Sequence, residues 1–296
     1  MADKPATAAT ADAPRESLGL RLRYAVFGLV FCVGYRLFGL RRTVIRENLG
    51  RSFPERDHDQ LRRIRNDFVA RQAETFAEID YSRSIGAEEL RQRVRLIDAA
   101  NVIAADSRAL GLILVGGHQC NFEWLLLRLS LELGPGLVAL YKPLNGQLGE
   151  RYFRTVRTRF GARLMPAKSV TKELGVIRDA RALGMIADQV PRTSPDRYWT
   201  RFLHQDTAFF KGPERLGRAL RSRLVYVSMR RLGRGRYEIE LEPLTAGERL
   251  PSGAATERYV RVLERDIQAD PAGWWWSHKR WKLAPPSPAA GGRGLG

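Results

Sequence analysis

Apolar positions fall into three regimes along the chain. The first is Leu18–Leu40 (LGLRLRYAVFGLVFCVGYRLFGL), whose uncharged centre, Tyr24–Tyr35, is 12 residues long and bounded by Arg23 and Arg36. A bilayer-crossing helix wants roughly 20 apolar residues, and arginines follow where a signal peptide would place a small-residue cleavage site. The stretch therefore reads as a short or interfacial membrane helix with snorkelling arginines, or as a buried core helix. Flanking Arg21, Arg23, Arg36, Arg41, Arg42 and Arg46 suit an anionic lipid surface. The second regime, Asp57–Tyr81, places Leu61, Ile64, Phe68, Phe76 and Ile79 near helical spacing and predicts an amphipathic helix.

From Val94 onward, short apolar runs alternate with helical periods. Strands are expected at Val94–Ile97, Leu110–Val115, Leu137–Tyr141, Leu183–Ala187, Leu224–Met229 and Tyr237–Leu241. Helices are expected between most of them, at Ala99–Ser107, Asn121–Leu133, Gly149–Phe160, Val170–Ala180 and Pro213–Arg221. Such alternation predicts a single α/β domain with a mostly parallel or mixed central sheet flanked by helices. The expected organisation is a disordered tail over residues 1–16, an N-terminal hydrophobic helix over 17–47, one catalytic-sized domain over 48–284 and a second disordered tail over 285–296.

Composition narrows the function. The chain has 296 residues, of which 44% are hydrophobic and 28% charged, ample for a packed core. Two cysteines, Cys32 and Cys120, exclude a disulfide scaffold and a cysteine-based zinc module, and fit a reducing compartment. His58, His118, His204 and His278 are too scattered for a metal-ligand spacing, so no metal is expected. Fifty Lys+Arg against 32 Asp+Glu leave a net charge of 50 − 32 = +18, which calls for an anionic partner: nucleic acid, anionic lipid or an acidic protein. Only seven of the fifty cations are lysines, so part of the arginine excess reflects coding composition and not phosphate recognition.

The sharpest local feature is Leu112–Leu127 (LILVGGHQCNFEWLLL), an apolar strand running through Gly116-Gly117 and His118 into a helix that Asn121 can cap. Open α/β sheets bind ligands at the carboxyl ends of strands, which is where His118 falls. On one continuous helix His118 and Glu123 would point about 140° apart, so the two pair only if His118 lies on the preceding loop. A histidine with a carboxylate partner is the base-and-orienter arrangement of acyl transfer. No Gly-x-Ser-x-Gly elbow accompanies it and Cys120 makes a poor nucleophile, so the base would activate the acceptor's own hydroxyl. A histidine that merely caps a helix or packs in the core fits these residues as well.

GGHQCNFEW, however, resembles the His-x4-acid box of membrane glycerolipid-type acyltransferases, in the Asn-aromatic-Glu form of the bacterial lipid A biosynthesis acyltransferases, within the lysophospholipid acyltransferase superfamily. Further blocks are similar to that family in order: Arg46-Glu47-Asn48-Leu49 with Ser52-Phe53-Pro54-Glu55, Tyr141-Lys142-Pro143, Arg157-Thr158-Arg159-Phe160-Gly161, Ala187-Asp188-Gln189-Val190-Pro191, the looser Phe210–Gly217, and Pro271–Lys282 with its Trp274-Trp275-Trp276 run. The resemblance implies an enzyme at the cytoplasmic face of the bacterial inner membrane. It would move a fatty acyl chain from acyl carrier protein or coenzyme A to a hydroxyl of a lipid A precursor, with no tightly bound cofactor. It further implies His118 as general base with Glu123 as partner, and Arg157 or Arg159 together with Asp188 at substrate-binding positions. Arginines clamp phosphates bidentately, and acyl carrier protein is acidic, so a charge of +18 suits its docking. Backbone N–H groups near Gly116–His118, or an arginine, are candidate oxyanion donors.

Other readings keep parts of this pattern. The same chemistry could serve an amino-acid lipid, a glycolipid or an aryl-polyene-type lipid, or the acyl group could pass to water. A nucleic-acid binder would explain the charge but not the His118 box, and no binding motif appears, so no nucleic acid is expected. Trp274–Trp276 reads as a buried lid beside the site, ahead of an interfacial anchor. His278 beside Lys279 and Arg280 reads as a fixture of the C-terminal segment, and His58 and His204 as structural or solvated.

Overall fold

The computed structural model describes residues 14, 16–39, 41–97, 102–103, 111–170, 172–173, 175, 177, 179–191, 196–246, 248 and 250–285. Four helices open the chain: α1 (Leu18–Arg36), α2 (Arg42–Ser52), α3 (His58–Tyr81) and α4 (Ala87–Arg93). Then come β1 (Val94–Ile97), β2 (Leu112–Gly116), α5 (Phe122–Leu133), β3 (Leu137–Tyr141), α6 (Gln147–Arg157), β4 (Arg163–Pro166) and β5 (Ala182–Ile186). A hairpin of β6 (Arg197–Phe202) and β7 (Gln205–Phe210) leads to α7 (Gly212–Leu220), β8 (Arg223–Gly233), β9 (Arg236–Pro243) and α8 (Ala254–Ala269).

One seven-stranded sheet organises these elements, in the order β1-β9-β8-β2-β5-β3-β4. Every neighbouring pair is parallel except the hairpin-linked β8 and β9. β2 lies at its centre, between β8 and β5, and all five of its residues are buried. That explains why its sequence shows no polar alternation: a strand covered on both faces must be apolar throughout. Ile113 and Val115 join Phe68 of α3 and Val260 and Leu263 of α8 on one face, whereas Leu112 and Leu114 join Leu125 and Leu129 of α5 on the other. The chain is thus a mixed α/β domain with a mostly parallel sheet between helical layers, preceded by the apolar helix α1.

Local signals fix several boundaries. Asp57 and Gln60 form a reciprocal capping box at the start of α3. Ser17 caps α1 through a 3.2 Å bond from the Leu20 N–H. The strand expected at Leu224–Met229 runs on at both ends, as does the one at Tyr237–Leu241, because β8 and β9 extend each other as a hairpin beyond the covered sheet. The helix expected over Gly149–Phe160 ends at Arg157, where Thr158 and the left-handed Gly161 (φ 94°) turn the chain toward β4. α2, α4, β4, the β6–β7 hairpin and α8 are additional to the elements read from sequence. The expected helix Ala99–Ser107 lies outside the described residues apart from Val102 and Ile103, that over Val170–Ala180 lies partly outside them, and so do the tails apart from Pro14, Glu16 and Pro285.

Candidate active site

β2 ends at Gly116, and Gly117 carries the chain past the sheet edge to His118. A Cβ on Gly117 would lie 2.6 Å from Leu263 Cδ1 and 3.4 Å from Asp188 Oδ2, so a larger residue here would have to displace the Leu263 side chain of α8. Cys120 takes a left-handed conformation (φ 52°), after which Asn121 caps α5 by accepting the Trp124 N–H at 3.0 Å. His118 therefore does sit on a loop before the helix.

Its carboxylate partner is nevertheless not Glu123. His118 Nδ1 lies 2.6 Å from Asp188 Oδ1, and the His118 backbone N–H donates to Asp188 Oδ2 at 2.8 Å. Trp274 Nε1–H donates to the same oxygen at 2.8 Å. Asp188 is 3% exposed. Burial pushes its carboxyl up, but the His118 charge and these donors outweigh that and hold it at about 2. An ionised Asp188 is an acceptor for Nδ1–H, and in the tautomer it favours the Nε2 lone pair faces outward. There the Gln189 amide nitrogen stands 3.1 Å away, its N–H matched to that lone pair.

Glu123 instead makes a bidentate pair with Arg157: Arg157 Nε donates to Oε2 at 2.9 Å, and a short bond joins Arg157 Nη2 to Oε1. Glu123 is buried, and Arg157 also lies over the rings of Tyr141 and Phe153. Most of the Arg157 charge is thereby spent inside the protein, which limits it as a phosphate clamp. Arg159 turns the other way, donating to the Ser82 carbonyl and covering Phe160. Of the two arginines, Arg157 faces the box and Arg159 ties α6 to the end of α3. The His118 N–H, engaged by Asp188, is not free to bind an oxyanion.

The C-terminal tryptophans close this loop from outside. Cys120 N–H donates to the Gly273 carbonyl at 2.8 Å and Trp275 N–H to the His118 carbonyl at 3.1 Å, with a bridge between Gln119 and Trp274. Trp274 and Trp276 are buried, whereas half-buried Trp275 stands edge-on to the His118 ring at 5.8 Å and beside Phe122 at 5.3 Å. Phe76 and then Phe31 continue these aromatics toward α1. Burial above all disfavours a charged His278, and its carbonyl, with that of Trp276, accepts the Asn48 amide, which pins the segment to α2. Burial likewise pushes the Cys120 thiol up to about 12, so no thiolate is at hand.

One carboxylate stands beneath the site. Glu78 of α3 is wholly buried and accepts from Tyr24 OH (2.9 Å), Gly235 N–H (3.0 Å), Tyr237 OH (2.7 Å) and Asn121 Nδ2 (2.8 Å). It thus joins α1, the β8–β9 turn and the cap of α5. Glu78 was not among the residues singled out from sequence, whereas Gln189 and Trp275 were named there only as parts of longer blocks. Gln189 stood beside Asp188 in the Asp-Gln-Val-Pro block and Trp275 stood in the tryptophan run read as a lid; Glu78 is recognisable only by what folds against it.

No curated protein matches the chain. The model of the bacterial lipid A biosynthesis acyltransferases matches residues 22–283. With that match spanning nearly the whole fold and the His118 box at its centre, the chain belongs to the bacterial lipid A biosynthesis acyltransferase family, and its chemistry is acyl transfer of that type.

Proposed function

We propose that the protein transfers a fatty acyl chain from an acyl thioester, carried by acyl carrier protein or coenzyme A, to a hydroxyl of a lipid A precursor at the cytoplasmic face of the bacterial inner membrane. The observation that carries this reading is the His118–Asp188 pair, with His118 Nδ1 2.6 Å from Asp188 Oδ1 beside a half-buried aromatic wall. His118 Nε2 takes the acceptor's hydroxyl proton as that oxygen bonds to the thioester carbonyl carbon. Collapse of the tetrahedral intermediate breaks the C–S bond, and the imidazolium returns its proton to the departing thiolate. Asp188, in place of Glu123, holds the tautomer and offsets the imidazolium charge.

Gln189 fills the place of the acceptor hydroxyl in the resting site. When the hydroxyl arrives, its amide turns to the nearby carbonyl oxygen as that atom gains charge. Glu123 and Arg157 form the wall next to the base. The +18 charge supports docking of an acidic carrier and an anionic membrane, and the exposed apolar residues of α1 support attachment to that membrane.

Mass spectrometry of the host's membrane lipids, with and without the gene, tests this function. The expected result is a lipid A one acyl group lighter in the deletion, restored by wild type but not by His118→Ala. An acyl group missing from another lipid, with lipid A unchanged, would move the acceptor. No lipid change at all would overturn the transferase reading in favour of hydrolysis.

A further inference from the structure

α1 carries two apolar stripes. Leu20, Tyr24, Phe27, Phe31 and Tyr35 face inward and pack on the domain, at helical spacing of three or four residues. Leu18, Leu22, Val26, Val30, Val33 and Leu37 form the opposite stripe, exposed by 37% to 81%. By length and composition the helix could cross a bilayer. Its attachments argue otherwise. Arg23 Nε donates to Asp80 Oδ2 at 2.7 Å, Tyr24 OH donates to Glu78, Ser17 Oγ reaches Tyr81 OH at 3.4 Å, and Arg234 covers the Tyr24 ring at 4.7 Å. From Ser17–Tyr81 to Phe31–Phe76, α1 therefore runs against α3, a helix rich in Arg, Asp and Glu. To cross, α1 would have to drag those charges into hydrocarbon or tear away from them. Its uncharged run of 12 residues is also short, about 18 Å against a core of about 30 Å.

A second apolar feature meets the same place. Leu148, 87% exposed at the second position of α6, and the exposed Leu144 just before it project beside Lys142 and Arg151. Tyr152 of α6 donates to Asp80, the carboxylate that also holds Arg23 of α1. α1 reaches His118 through Phe31, Phe76 and Trp275, and α6 reaches the box through Arg157 and Glu123.

We infer that the protein is monotopic: α1 lies in the plane of an anionic leaflet with its outer stripe at the headgroup–acyl boundary, and Leu144 and Leu148 form a second insertion point. Exposed Arg21, Arg36, Arg41, Arg42 and Arg46 pair with lipid phosphates along the α1 side. The two insertions flank His118, so a lipid hydroxyl reaches Nε2 from the surface without leaving its leaflet. The inference rests on the membrane attachment proposed above.

The test uses the purified full chain with vesicles of mixed phosphatidylcholine and phosphatidylglycerol. In a Cys32→Ser background, spin labels at Leu18→Cys, Val26→Cys, Leu37→Cys and Leu148→Cys should report similar shallow depths. A membrane-impermeant thiol reagent should reach Leu18→Cys from the side to which the protein was added. Leu148→Glu places an acid in the first turn of α6, where the helix dipole favours it, so the fold should persist while vesicle affinity falls about 10-fold. Access to Leu18→Cys only from the vesicle lumen, or unchanged affinity of Leu148→Glu, would overturn the proposal while leaving membrane attachment standing. Failure of the wild type to float with anionic vesicles would overturn membrane attachment, and this geometry with it.

Discussion

His118 and Asp188 lie opposite each other, each two residues beyond the end of one of two adjacent parallel strands. The register of β2 with β5 runs from Leu112–Ala182 to Gly116–Ile186, and the Ala187 N–H continues it by donating to the Gly116 carbonyl at 3.1 Å. Carried past the strand ends, the same offset of 70 residues sets His118 opposite Asp188. The sheet register therefore sets which residues of the two strand-end loops face each other. The pair lies where the chain leaves β2 for β3 and later returns to insert β5 between them, the kind of crevice in which open sheets bind ligands.

Asp188→Asn should lower acyl transfer by about 10²–10⁴-fold with little change in circular dichroism, because the amide fills the same space but no longer selects the Nδ1–H tautomer. Activity within a fewfold of wild type would remove Asp188 from the mechanism. Its carboxyl also titrates lower when folded, at about 2 against 3.8. That depressed value contributes about 2 kcal/mol of stability present above pH 4 and lost as pH falls toward 2. Denaturant unfolding of both proteins from pH 6 down to pH 2.5 checks the sign; the gap between wild type and Asp188→Asn should narrow.

The Glu123–Arg157 pair should behave as a structural unit. Glu123→Ala leaves a largely buried guanidinium without its counter-charge and should cost about 3 kcal/mol. Adding Arg157→Met should recover part of that loss, with a coupling energy of about 1–3 kcal/mol in a double-mutant cycle. Strict additivity of the two substitutions in chemical denaturation would show that the pair holds nothing together.

Glu78 should make stability depend on pH with the opposite sign. Burial raises its folded-state pKa above 4.5 despite four hydrogen-bond donors. The folded chain then holds the proton more tightly than the unfolded one. The stability this group contributes is complete below pH 4.5 and is lost as pH rises through the raised value. Glu78→Gln cannot titrate, so its stability relative to wild type should climb as pH rises above 4.5. A relative stability that declines over that range would mean the donors, and not burial, dominate.

Cys120 should be chemically silent. With its thiol at about 12 and its side chain buried, it should resist iodoacetamide at pH 8, whereas the less buried Cys32 is alkylated. Cys120→Ala should keep activity within about 3-fold of wild type, since removing a small buried group costs stability more than chemistry. Inactivation traced by peptide mass spectrometry to Cys120 would reopen covalent catalysis.

What the sequence determined by itself was local or repetitive. The apolar run of β2, the Asp57 cap of α3, the Asn121 cap of α5 and the amphipathic spacing of α3 each follow from a few neighbouring side chains. The alternation of such segments was enough for the α/β class, and the glycine pair and capping residue placed His118 on a loop at a strand end, while its role as a base came from the family resemblance. Which carboxylate serves His118 was not legible. Glu123 lies 5 residues away along the chain and Asp188 lies 70 away, yet the α5 cap turns Glu123 toward Arg157 while the β2–β5 register brings Asp188 beneath the imidazole. Register and strand order arise from packing the whole sheet, so they cannot be read from spacing in one segment. The same holds for Trp275 over His118 and for α1, whose apolar residues count equally in composition but divide into a packed stripe and an exposed one only when α3 lies against them.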